Sequence, residues 1–550
     1  MDDEGTPTCG DPSQARLEGW LLGGTAGVVK DGPHRTVYRL DTDQGRYFLK
    51  HCRCRGWVQA LGHLIRSSPA RREFTRSREI ARRGVPTVTA LAYGEQRRWG
   101  LVRDSYLVTT AIPDTVALDD FLARRLPRLP DENRSIAKRR IVVSLAQFCA
   151  AAHKAGVFHH DFHAGNLLIR TDSERTGDEA ELFLIDVPHV RLTGPMNWRA
   201  SRASLVMLCT SLEPLASLSD FWRFWRAYRR ARSDLDVGQP RDAAAQIALR
   251  SRQAARRILR GRDRRAMRNN REFQRLPTRA GVAYAVRGVG RETLHQLLAD
   301  PEMPVRQFRH APVKLGHGSL VVRARITLDG RPVNVAFKQA RRRGFWKTLT
   351  DRLRGRRLFR SWKNGHALLS RGIATPRPLA VWLPDRRMVR RDCYSATEWI
   401  EGAEDFHLYL WRIAALPPDE RRRRVRQLAE RLGSLIGRMH NWGVSHGDLK
   451  GCNLLIVERG RDVQAYVLDL DSVRIRRRLT RRAQVRDLAR LAASLAAHAW
   501  VGRSAAMAFM KSYQTERHAG WRDSKPLWRQ AARRAARKVQ QQRRAGKPVA

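Results

Sequence analysis

Hydrophobic and polar positions follow the same order of patterns twice along the chain. Apolar and polar residues alternate through VYRLDTDQGRYFLK (Val37–Lys50) and again through VVRARITLDGRPVNVAFK (Val321–Lys338). That period of two, broken by turn residues at Asp43–Gly45 and Asp329–Gly330, predicts β-hairpins. Each hairpin is followed by a basic stretch of helical composition that stops at Gly84 or Gly372, with a proline just beyond. Two further strand-like runs come next, ending in SYLVTTAI and CYSATEWI. A long amphipathic run such as RVRQLAERLGSLIGRMHNWG then predicts a helix. A mostly β half followed by a mostly α half, repeated, predicts an α+β protein of two bilobal units.

The repeat extends to identities. KAGVFHHDFHAGNLLI (Lys154–Ile169) returns as NWGVSHGDLKGCNLLI (Asn441–Ile456), and RRGVPTVTALA returns as SRGIATPRPLA. VKDGPHRTVYR, from Val29, matches VKLGHGSLVVR, from Val313; LFLIDVPHVRL matches YVLDLDSVRI. The blocks keep their order, displaced by 283 to 288 positions, which is the signature of a duplicated fold. The expected domains are 18–232 and 306–515. A basic helical connector is expected over 233–305, and a basic tail that frays from a helix over 516–550.

The repeated blocks carry a recognisable chemistry. Phosphoryl transfer requires phosphates to be held, a metal placed and a hydroxyl aimed in line. In protein kinases these tasks fall to a strand Lys, a helix Glu, a loop Asp, an Asn five residues later and a strand-end Asp. HHDFHAGN and HGDLKGCN supply the loop pattern, with Asp161 and Asp448 as candidate catalytic residues and Asn166 and Asn453 as candidate hard-oxygen metal ligands. Asp186 and Asp469, each after a buried-looking β run, are the candidate metal carboxylates. Lys50 and Lys338 end the second strand of each hairpin. Lys is scarce in this Arg-dominated chain, and a compact ammonium suits nucleotide phosphates where a guanidinium fork does not substitute freely. Glu73 is placed to partner Lys50, whereas the matching position in the second copy is Ser361; Asn364 or another carboxylate is a candidate substitute. The turns place Gly32, Arg35, Gly316, Gly318 and Ser319 near the expected phosphates, although neither turn is a full GxGxxG and an ordinary hairpin turn has the same composition.

At these motifs the chain resembles the Kdo/WaaP lipopolysaccharide kinase family. The resemblance implies two tandem bilobal protein-kinase-like domains using ATP and Mg²⁺ to phosphorylate a sugar hydroxyl of lipopolysaccharide core or a related glycolipid. Asp161 and Asp448 then match the catalytic Asp, Lys50 and Lys338 the ATP Lys, and Asp186 and Asp469 the metal Asp. The family is usually met as a single module, and the second copy lacks the Glu. A pseudokinase or scaffold, with one or both modules binding without turnover, is the alternative reading.

Charge adds a partner class without choosing one. Lys plus Arg number 106 against 53 acidic residues, a formal net charge of +53. Such a field attracts anionic glycolipid, membrane surface or nucleic acid, yet an Arg-preferring genome gives the same bias. Nucleic acid is disfavoured because no RRM, KH, zinc-finger or helix-turn-helix signature is present. Seven cysteines without a CxxC pair suit a reducing compartment. The acidic start MDDEGTPTCG has no apolar signal-like run. A cytoplasmic location, peripheral at the inner face of the inner membrane, is expected. The run FWRFWRAYRR and Trp442 are expected to face the core rather than a ligand.

Overall fold

The computed structural model describes residues 26–546 apart from 33, 44, 54–66, 171–179, 279–280, 309–311, 317–318, 341–347, 385–391, 461 and 518–520. The chain divides into two compact units, residues 1–255 and 256–550.

In the first unit, β1 (Ala26–Lys30), β2 (Arg35–Thr42), β3 (Gly45–Arg53), β4 (Ala90–Arg98) and β5 (Leu101–Thr110) form one antiparallel sheet in the order β1-β2-β3-β5-β4. The β2–β3 register pairs Val37 with Lys50, and β3–β5 pairs Lys50 with Leu107, which puts Lys50 on a central strand. Helix α1 (Pro69–Arg82) starts at Ser68, whose hydroxyl accepts from the Arg71 amide. Its stripe Ala70, Glu73, Ser77 and Ile80 is buried, so Glu73 lies on the face turned inward.

The helical half is built on α2 (Asp131–Lys154), α3 (Trp198–Leu212) and α4 (Leu218–Ala231). The short strands β6 (Thr115–Ala117), β7 (Val157–His159), β8 (Leu167–Arg170), β9 (Leu182–Leu184) and β10 (Val190–Leu192) carry the loop motifs between them. One apolar core, including Leu145, Leu167, Leu184, Leu205 and Tyr228, joins these helices to those strands. Phe224 and Tyr228 are buried in it, as the aromatic stripe predicts. Helix α5 (Pro240–Arg265) follows, and its first turns bury Ala243, Ala244 and Ile247.

The second unit repeats the plan with additions. The stretch expected as a helical connector is interrupted by strands: after α5 it forms β11 (Phe273–Thr278) and β12 (Gly281–Val286), then the helices α6 (Arg291–Ala299) and α7 (Met303–Phe308). The short apolar run GVAYAV, paired antiparallel with FQRLPT from Phe273–Val286 to Thr278–Gly281, outweighs the surrounding helical composition. These strands extend a seven-stranded sheet, β11-β12-β16-β17-β15-β14-β13, completed by β13 (Pro312–Gly316), β14 (Ser319–Leu328), β15 (Arg331–Ala340), β16 (Pro378–Pro384) and β17 (Cys393–Glu398). The β14–β15 turn has Asp329 and Gly330 both at positive φ, as a two-residue hairpin turn requires.

Helix α8 (Thr348–Leu369) takes the place of α1. The α-rich half comprises β18 (Ala403–Asp405), α9 (Phe406–Ala414), α10 (Pro418–Asn441), β19 (Val444–Ser445), β20 (Leu454–Arg459), β21 (Asp462–Val467) and β22 (Arg474–Ile475), then α11 (Arg481–Ser494) and α12 (Arg503–Arg517). Trp442 is buried at the end of α10. The basic C-terminal stretch forms α13 (Trp521–Arg544), which buries Leu527, Ala531 and Ala535 against α11 instead of fraying.

Candidate active sites in two modules

Each module gathers its loop motif by one set of backbone bonds. In the first, the Asn166 side-chain amide donates to the Asp161 carbonyl at 2.8 Å, and the Ile185 amide donates to the Asn166 carbonyl at 3.0 Å. The Asp161 amide donates to His159 Nδ1 at 3.0 Å, which leaves Nε2 as the donor to the Asp186 carbonyl at 3.1 Å. Burial lowers the His159 pKa, keeping the imidazole neutral in this bridging form. The second module repeats this pattern with one shift, its histidine reaching the carbonyl of the residue before the strand-end Asp. Asn453 donates to the Asp448 carbonyl at 2.9 Å, the Leu468 amide to the Asn453 carbonyl at 2.8 Å, and His446 Nε2 to the Leu468 carbonyl at 2.8 Å. Loop Asp, Asn and strand-end Asp are thereby locked together twice.

Asp186 and Asp469 sit in the left-handed region, at φ +59° and +55°. Asp tolerates that conformation better than most residues, and it turns the chain sharply at the end of β9 or β21. The repeated RGxxTxxxLA segment has its role here. Thr87 Oγ1 donates to the Leu184 carbonyl and Thr375 Oγ1 to the Val467 carbonyl, both at 2.8 Å, two residues before each Asp.

Around this shared frame the modules differ. In the first, Lys50 Nζ is ion-paired with Glu73 Oε1, with side chains 14% and 8% exposed. Arg35 Nη1 stands 2.8 Å from Asp186 Oδ1. Burial alone would raise the Asp186 pKa, but Arg35, Lys50 and His159 outweigh it and hold the carboxyl below the usual range. Gly32 lies in the β1–β2 turn, where its carbonyl accepts from Arg53 at 3.4 Å. Asp161 is exposed, with His163 at 3.5 Å.

In the second module Lys338 Nζ lies 4.0 Å from Asp469 Oδ1, and Ser319 occupies the position matched to Arg35. Gly316 ends β13 opposite Ser319, and Gly318 lies outside the described residues. Asn364 does not replace the missing Glu. Its buried amide donates to the Leu470 and Val473 carbonyls at 2.8 and 3.1 Å, holding the turn after Asp469. Arg76, the aligned residue of α1, makes the same kind of bond to the Pro188 carbonyl.

The loop of the second module has charged support that the first lacks. Asp487, on α11 and fully buried, accepts from the Ser445 hydroxyl at 2.8 Å and from the amides of His446 and Gly447 at 2.8 and 3.0 Å. Burial would raise its pKa; the donors around it, His440 and Ser445 foremost, lower it. Gly447 meets this carboxylate by adopting φ +82°, a conformation natural to glycine, where a side chain would strike the Ser472 carbonyl. The first module has His160 at that position and Ser204 in place of Asp487. Asp448 itself is flanked by Arg490, with which it is ion-paired, and by Lys450 at 3.7 Å. Asp487, Arg490 and Lys450 escaped the motif reading. An acid set among Val485, Leu488 and Ala489 on a buried helix face was the available signal for Asp487.

A β-rich lobe bearing a lysine, above a helical lobe bearing the HxD loop and a strand-end Asp, defines the protein-kinase-like class. The chain belongs to the lipopolysaccharide kinase (Kdo/WaaP) family, whose model matches residues 36–228 and 320–513. The lipopolysaccharide core heptose(I) kinase WaaP of Pseudomonas aeruginosa is 30% identical over 178 residues, 31% of this chain and 65% of that relative, just under two thirds of its length. The enzyme of the same name from Escherichia coli is 26% identical over 207 residues, 36% of this chain and 77% of that relative. A solved structure of WaaP in complex with acyl carrier protein is 25% identical, covering 44% of this chain and 93% of that one with a TM-score of 0.33. Membership of a kinase family implies ATP as phosphoryl donor. No helix among the described residues is long and apolar enough to cross a membrane.

Proposed function

We propose that this chain is an ATP-dependent phosphotransferase acting on a sugar hydroxyl of lipopolysaccharide core or a related anionic glycolipid. The observation that carries the reading is the duplicated bond set that ties Asp161 and Asn166 to the strand end bearing Asp186, and again Asp448 and Asn453 to Leu468, the residue before Asp469. A pure scaffold has no physical need for that arrangement in both copies. Lys50, fixed by Glu73, and Lys338 hold nucleotide phosphates, covered by the turns containing Gly32 and Arg35 or Gly316, Gly318 and Ser319. Asp161 and Asp448 orient the acceptor hydroxyl and take its proton.

One carboxylate and one amide oxygen per module form a hard-donor set. It fits Mg²⁺, which commonly takes one or two protein carboxylates and completes its shell from phosphate and water. Asp186 with Asn166, and Asp469 with Asn453, would hold the ion. Bound there, it neutralises charge on the transferring phosphate. The net charge of +53 supports an anionic acceptor and peripheral contact with the inner face of the membrane.

The test is ATP turnover with lipopolysaccharide-core acceptors for wild type, Asp161→Asn, Asp448→Asn and the double variant. Partial loss in each single variant and full loss in the double is expected. Wild type as inert as the double variant on every acceptor refutes the enzyme reading. A second reading has the later module binding without turnover. Ser361 at the Glu position and the long Lys338–Asp469 separation favour it, and it predicts total loss in Asp161→Asn alone.

A further inference from the structure

Helix α13 lies beyond the family match, which ends at residue 513. It presents Gln530, Arg533, Arg534, Arg537, Lys538 and Gln541 at the i, i+3, i+4, i+7, i+8, i+11 spacing of one continuous helical stripe. That stripe faces Arg486 and Arg490 of α11 across a cavity of about 530 Å³, which these eight residues line together with Ala489. The helices are held together beneath it by Ala489, Ala493 and Ala535. Small side chains bring the two axes close, so the cations above them converge.

Such convergence costs energy unless something anionic answers it. Two of the six cations have partners: Arg490 is paired with Asp448, and Arg486 bonds Ser445 and stands 3.8 Å from Asp487. Arg533, Arg534, Arg537 and Lys538 have no ion-pair partner among the described residues. Burial lowers the Lys538 pKa, with Arg490 and Lys450 adding to the effect and Asp448 opposing it. The field inside the cleft is therefore strongly positive, and Arg490 links it directly to Asp448. Glutamines at both ends of the stripe bring amide groups suited to hydroxyls. The cavity has the size of a small-molecule site. In the first module, Ala203 and Met207 stand where Arg486 and Arg490 stand in the second, so no such wall exists there.

We infer that the α11–α13 cleft binds a saccharide already bearing phosphate groups, and so delivers the acceptor to Asp448. The inference rests on the phosphotransferase reading for its purpose, but the binding can be measured without ATP. Isothermal titration of the full chain would use a water-soluble, deacylated lipopolysaccharide inner-core oligosaccharide carrying phosphomonoesters. Its phosphatase-treated twin, phosphatidylcholine vesicles containing phosphatidylglycerol, and a single-stranded oligonucleotide are the comparison ligands.

The phosphorylated oligosaccharide should bind at least about tenfold more tightly than its twin, the scale of one or two lost charge-assisted hydrogen bonds. Arg533→Glu with Arg537→Glu should erase that difference, and the milder Arg533→Gln with Arg537→Gln should reduce it. Arg529→Glu with Arg543→Glu, the same change of net charge on the same helix outside the cleft, should leave it intact. Equal binding by both twins, unchanged affinity in both cleft variants, or equal loss in the control variant overturns the proposal. So does a cleft variant that loses only vesicle or oligonucleotide binding. An active enzyme with unchanged affinity removes the cleft alone, whereas a chain that binds but never turns over removes the enzyme reading alone.

Discussion

Replacing Asp487 with alanine withdraws the acceptor from three donors at once. The Ser445 hydroxyl keeps a bond from Arg486 and can rotate, so the cost falls on the amides of His446 and Gly447. A buried, unsatisfied N–H costs about 1–3 kcal/mol. Two of them, less the relief of no longer burying a carboxylate, suggest about 2–4 kcal/mol. Asparagine keeps the shape and one acceptor oxygen and should lose roughly half as much. The loss is local, so native-state hydrogen exchange is the direct assay. Protection of the His446 and Gly447 amides should fall by roughly one and a half to three orders of magnitude in Asp487→Ala, at about 1.4 kcal/mol per tenfold. His159 and His160 of the first module, where Ser204 stands instead, provide the internal control. The sign with pH also follows. A carboxyl whose folded pKa is depressed stabilises above its unfolded pKa, and this stability is lost as pH falls through the folded value. Wild type should therefore approach the variant only in acid below the ordinary carboxylate range. Unchanged protection at both amides with under about 1 kcal/mol lost would refute the argument that Asp487 holds the loop.

Three further outcomes are expected. Ser361→Glu, made in the Asp161→Asn background to isolate the second module, should give Lys338 a helix partner and lower the KM for ATP several-fold; an unchanged KM argues that α8 is set differently from α1. Gly443→Ala should destabilise the second unit by about 2 kcal/mol or more, because Gly443 has φ +75° and a Cβ there would strike the Arg476 carbonyl; urea melts measure it, and a loss under 1 kcal/mol contradicts the close approach. His153, buried between Tyr228 and Ser204, has its pKa pushed down by burial to about 3. The unfolded chain takes up a proton below about pH 6.5 that the folded one refuses, so stability falls by about 1.4 kcal/mol per pH unit over that window. His153→Gln should flatten the slope of melting temperature between pH 7 and 5, and an unaltered slope would place the titration elsewhere.

The strand and helix order was legible because period-two and period-3.6 patterns differ plainly in these segments, and because each appears twice. The loop residues were legible for the same reason: Asp161 and Asp448 draw support from a recurring block. What stayed hidden depends on contacts distant in sequence. Nothing near Asn364 announces that its amide bonds the turn after Asp469, over a hundred residues away. Asp487 looked like one acid in a charged helix until the fold put it under the loop. The strands β11 and β12 were masked by the surrounding arginines, whose helical composition says little where a short apolar run pairs into a sheet. The C-terminal helix read as a solvated tail because its buried face is alanine, the residue least distinctive to a hydrophobic pattern.

The two modules keep the same frame but invest its supports differently, and this has a consequence for how each would work. In the first, the lysine is fixed by a buried carboxylate, so the phosphate-holding charge is positioned before nucleotide arrives. Its Asp186, however, is engaged by Arg35 through Oδ1, which leaves Oδ2 as the oxygen for a cation. In the second, Asp469 meets only a lysine at 4.0 Å among the described residues, an interaction too long for a hydrogen bond and cheaper to rearrange. Its loop is held by Asp487, and Asp448 is set among cations, but among the described residues Lys338 has no helix partner to fix it. On the proposed roles, the first arrangement would fix the nucleotide lysine and the second would hold the loop that bears the catalytic Asp. The two copies thus keep one backbone frame and support it with different side chains.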